Sequence, residues 1–93
     1  MRKTANYVRE EAIKIIDEKI EDMRKLYDKD MDYIRSCVPE SMRGFTTGMV
    51  MMEARSIACR KDEYDLRRRI QRRDELAERA DILYKIRNQI KNI

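Results

Sequence analysis

The chain has 93 residues, of which 43% are charged and 42% hydrophobic, and it carries a net charge of +4. That length holds one domain, 1–93, and the apolar residues are too periodic for a disordered chain. One Phe, five Tyr and no Trp are too few aromatics for a conventional globular core, whereas long amphipathic helices suit the mixture.

Several classes of function fall away at this level. Histidine is absent, which removes the commonest general base and metal ligand at neutral pH. Ser36, Ser41 and Ser56 therefore have no triad partner. We expect no enzyme, no metal and no cofactor. No stretch approaches the ~20 apolar residues of a membrane span. The start MRKTANYVREE has no apolar run behind its basic residues, so no signal peptide is read and the expected location is the reducing cytoplasm.

The first element is a helix over about 4–37. Apolar residues recur at Val8, Ala12, Ile16, Ile20, Met23, Tyr27, Met31, Ile34 and Val38, in steps of three or four. Ile13, Ile15, Leu26 and Tyr33 widen the stripe to one side. Thr4 or Asn6 is the expected cap. Residues 1 to 35 carry nine charges of each sign, so this helix has no net field. Lys19 and Asp30 fall inside the apolar stripe. A buried carboxylate needs a partner, and a hairpin centred near Gly44 places Asp30 level with residues 57 to 60. The expected partner is Arg60.

The connection spans about 38–47. It holds the only proline, Pro39, and Gly44, with Gly48 just beyond. Proline disfavours helix in the residue before it, and glycine supplies turn conformations. Thr46 or Thr47 is expected to cap the second helix. Phe45, Met49 and Met52 gather here, either as an end-cap for the core or as an exposed apolar anchor for a partner protein.

The second helix is expected over about 48–92, because neither Pro nor Gly occurs after Gly48. On one continuous helix its apolar residues form two nearly opposite lines. One is Met52, Cys59, Leu66, Ile70, Ala77 and Tyr84. The other is Val50, Ala54, Ile57 and Tyr64, reappearing as Leu83, Ile86, Ile90 and Ile93. Two apolar faces imply two neighbours: the first helix, and a second copy of the chain. We therefore expect an all-α fold of two long antiparallel helices, a helical hairpin, that dimerises into a bundle. Leu83, Ile86, Ile90 and Ile93 would form the dimer seam as a short coiled coil. The competing arrangement has a break near 62 or 74, where Asp62 or Asp74 caps a third helix that folds back. Cys37 and Cys59 sit too far apart in the hairpin for a disulfide and are expected as free thiols.

Residues 55 to 73 carry eight basic and three acidic groups, so the excess positive charge resides there. Arg60, Arg67, Arg68, Arg69, Arg72 and Arg73 are the candidate contacts. Arginine takes carboxylate and phosphate bidentately. An acidic protein surface, a nucleic-acid backbone and plain solvent all suit this segment. Zinc-finger spacing and RNP aromatics are missing, so base reading is unsupported. The leading expectation is a non-enzymatic protein-binding regulator or inhibitor acting on an acidic or apolar surface. The alternatives are a nucleic-acid binder without base specificity and a structural assembly subunit.

Overall fold

The structure, a computed structural model, describes residues 2–92. Those residues are all helix and loop, without a strand. Three helices run in order: α1 (Arg2–Cys37), α2 (Thr47–Lys61) and α3 (Tyr64–Lys91). None of them is long and apolar enough to cross a membrane.

The first helix starts earlier than expected. No breaker lies between Arg2 and Asn6, so Thr4 and Asn6 fall within α1 rather than at its start. Its other end is where Pro39 predicts. After Val38, Pro39 adopts an extended ψ of 142°, and a 3-10 turn comes next over Glu40–Met42. Thr46 caps α2, its hydroxyl accepting from the Met49 amide at 3.4 Å. The connection is held from α1 by Arg35. One guanidinium nitrogen donates to the carbonyls of Arg43 and Phe45 at 2.8 and 3.0 Å, and the other to the Thr47 hydroxyl at 3.3 Å.

Neither glycine of the connection takes a left-handed conformation. That conformation occurs at Asp62 instead, with φ 52° and ψ 42°. Asp62 ends α2, Glu63 is extended, and α3 begins at Tyr64. The expected continuous helix over 48–92 is thus two helices, broken near 62 and continuous through 74. Short polar Asp tolerates this region better than most residues. Its carboxylate also pairs with Arg67, one turn into α3.

The break resolves the two opposed apolar lines. It resets the helical phase between Ile57 and Leu66. In α2 the buried residues are Val50, Met51, Ala54, Ile57 and Ala58. In α3 they are Leu66, Ile70 and Leu76. Apart from Leu76, both sets close on Met31, Ile34 and Val38 in one core. Met52, Cys59 and Tyr64 from those lines stay exposed.

The long antiparallel pair is therefore α1 with α3. Asp17 meets Arg87, Tyr27 meets Arg73 and Asp30 meets Arg69. As the α1 number rises, the α3 number falls. The shorter α2 lies against both at one end, and the molecule measures 60 × 24 × 17 Å. Three helices make a closed core there. Beyond Ile20 and Leu76 only two helices remain, and no described side chain in 6–19 or 77–92 is buried. Cys37 and Cys59 are free thiols.

Two substitutions check these backbone assignments by chemical denaturation. Gly48 lies in the first turn of α2, and a Cβ built there meets nothing within 4 Å. Gly48→Ala should raise stability by about 0.5–1 kcal/mol. Asp62→Val should lower it by about 1–2 kcal/mol, since a β-branched residue resists the left-handed region.

Candidate functional site

The arginine run 67–73 lies in the first half of α3, and one acid of α1 holds two of its members. Asp30 is fully buried. Arg72 holds it with two bonds, Nε to Oδ2 at 2.8 Å and Nη2 to Oδ1 at 2.6 Å. Arg69 adds a third through Nη1 at 3.0 Å. The expected partner, Arg60, is not among them. It lies on α2 and reaches Glu53 at 3.3 Å. The cause is the break, because α3 rather than the continuation of α2 runs beside Asp30.

The neighbouring tyrosines complete this cluster. The Arg69 guanidinium lies over the Tyr33 ring at 5.0 Å, and that of Arg73 over Tyr27 at 5.1 Å. Arg73 also donates to the Tyr27 hydroxyl and to Asp74, both at 2.9 Å. Its Nε is buried without a partner, a local cost of the packing. Asp74 takes Arg55 as well, which ties α2 to α3.

Electrostatics follow the geometry. Burial pushes the Asp30 carboxyl up. The hydrogen bonds and charges of Arg72 and Arg69 outweigh that, so Asp30 ends below the usual carboxylate range. Asp74 shows the same balance, with burial opposed by Arg55 and Arg73.

The candidate arginines are therefore unequal. Arg67 is taken by Asp62, and Arg60 by Glu53. Arg73 is mostly covered, whereas Arg69 and Arg72 keep 39% and 44% of their side chains exposed. Among the described residues no hydrogen bond or ion pair takes Arg68, which lies over the Tyr64 ring at 5.9 Å. Arg68, Arg69 and Arg72 come together with Tyr33 and Asp65 around a surface pocket of about 290 Å³.

The apolar candidates occupy two other places. Phe45, Met49 and Met52 are all exposed at the start of α2, Met52 to 74%. They stand four and three residues apart and share one side. Leu83 and Ile90 are half-buried and Ile86 is exposed. Ile93 lies outside the described residues. Ile82, which the seam omitted, is more exposed than Ile86. Its spacing of four from Ile86 was the available signal.

One face of the stem, the part of α1 and α3 beyond Ile20 and Leu76, can be traced from the pocket. Val8, Ile15 and Leu26 are exposed on α1 and lead to Tyr33 in steps of seven, eleven and seven, which keeps them on one side. Ile86 and Ile90 stand eighteen residues, about five turns, beyond Arg68 and Arg72. The pocket joins Tyr33 to Arg68 and Arg72, so both apolar lines open on its face. The other face is the one that α2 approaches, where Thr47 meets Arg35.

No protein-family model, no curated protein and no solved structure matches the chain.

Asp30→Asn keeps the shape and removes the charge. It should cost about 2–3 kcal/mol at neutral pH, less than a fully enclosed pair because both arginines reach water. The folded-state pKa of Asp30 is depressed, so its contribution is present above the ordinary carboxylate value. It is lost as pH falls through the lowered folded value. Denaturation of both proteins along a falling pH series should show the difference narrowing.

Proposed function

We propose that the chain is a non-enzymatic helical interaction module, a small regulator or inhibitor that works as a homodimer and docks a partner protein. The observation that carries this reading is the bare stem. Val8 and Ile15 of α1 and Ile82 and Ile86 of α3 are exposed there, with no third helix over them. Two helices bury one stripe each, and the flanking apolar residues gain only by burial against something else.

A second copy fits the stem by charge. Residues 6 to 22 carry six acidic and three basic groups, whereas residues 78 to 91 carry four basic and two acidic. A two-fold dimer sets α1 of one copy against α3 of the other, so opposite signs meet along the rim. Phe45, Met49 and Met52 lie at the other end of the molecule and remain open for an apolar patch on the partner. Met is suited to such adaptable surfaces. Two free thiols fit a reducing, cytoplasmic setting.

The nucleic-acid reading is weaker. Arg60, Arg67, Arg69, Arg72 and Arg73 are each held by an acid of the same chain. Fewer unpaired charges are left to displace counterions from a polyanion.

Light scattering after gel filtration should give about twice the 11.3 kDa chain mass. Ile86→Glu should return the mass to that of one chain while far-UV helicity is kept. A monomer at tens of micromolar before any substitution would remove the dimer. Met52→Glu should leave the mass unchanged and abolish capture of the partner. An assembly subunit would keep its mass in Met52→Glu and show no capture even before substitution.

A further inference from the structure

We propose that the pocket of Arg68, Arg69, Arg72 and Tyr33 binds one phosphate group of a small phosphorylated molecule. The proposal stands apart from the dimer and partner reading and does not need either.

The donors are held in place by the fold itself. Arg72 spends Nε and Nη2 on Asp30, and Arg69 spends Nη1. Nη1 of Arg72 and the Nε and Nη2 of Arg69 are left for the pocket. The Tyr33 ring fixes the Arg69 plane from one side. A flexible arginine loses rotamer freedom when it clamps an anion, whereas these two have already lost it in binding Asp30. Arg68 brings a third guanidinium with all its donors unspent. Three guanidiniums against Asp30 and Asp65 leave the pocket net positive.

The geometry also selects the ligand. Arginine forks match the oxygens of phosphate two at a time. The cavity of about 290 Å³ is near the lower end of small-molecule clefts. A polyanion needs cations spaced along its length. Here the cations converge on one pocket, with the carboxylate of Asp65 in its wall. Asp65 in the wall accepts a hydrogen bond, which suits a ligand with a hydroxyl or amine beside its phosphate.

The test is a titration of the full chain at low ionic strength, monitored by the arginine Nε–H resonances. The probes are inorganic phosphate, a sugar monophosphate, phosphoserine and a short DNA duplex. One saturable site for phosphate and the sugar phosphate is expected. Arg68→Gln leaves Asp30 paired and should weaken binding about tenfold or more. Asp65→Asn should tighten inorganic phosphate by removing a like charge. Arg79→Gln, elsewhere on α3, should change neither. Equal losses in Arg68→Gln and Arg79→Gln would overturn the site, as would the absence of saturation. Preference for phosphoserine over the sugar phosphate would make the ligand a modified protein and overturn the small-molecule assignment. Affinity that grows with duplex length would do the same in favour of nucleic acid.

Discussion

The fold depends on one constraint: two apolar lines, opposed on a continuous helix, must reach the same side of α1. Val50, Ala54 and Ile57 form one, and Leu66 and Ile70 the other. A straight helix buries one set and leaves the other in water. Each buried aliphatic side chain contributes about 1.5–3 kcal/mol, more than the ~1–2 kcal/mol of a left-handed residue. The chain therefore breaks, and Asp62 takes the strained position. The phase reset closes the core and also decides which residues α1 meets along its length.

Asp30 depends on that reset. With α3 running back along α1, the acid lands between Arg69 and Arg72 rather than opposite Arg60. A buried carboxylate without partners would neutralise or expel itself. With three charge-assisted bonds it becomes the point at which α1 and α3 are locked in register. Those bonds occupy Arg69 and Arg72, and Glu53, Asp62 and Asp74 take Arg60, Arg67 and Arg73. A run of five arginines in seven residues reads as a polyanion site when drawn on an isolated helix. Folded, it is partly a scaffold, with one pocket where spare donors remain.

The two ends of the molecule differ for a reason of numbers. At one end three helices enclose a core. At the other, a pair of helices has too few neighbours to bury its flanks, so Val8, Ile15, Ile82 and Ile86 stay exposed. Apolar surface, basic pocket and stem face thus arise from one architecture, and the functional proposals concern what meets each of them.

Much of this was determined by local sequence. The three-and-four spacing from Val8 to Val38 gives α1, Pro39 ends it, and Thr46 caps α2, because these are short-range matters of side-chain period and backbone hydrogen bonding. All-α architecture and an acid at Asp30 that needs partners were legible in the same way. Only the tertiary structure decided where the second segment breaks, since no Pro or Gly marks Asp62 and the gain comes from burial against a distant helix. It alone decided register, and register chose Arg69 and Arg72 over Arg60 and paired Tyr27 with Arg73 across 46 residues. Such pairs leave no local signature, because charge and aromatic partners are selected by the packed helices that bring them level.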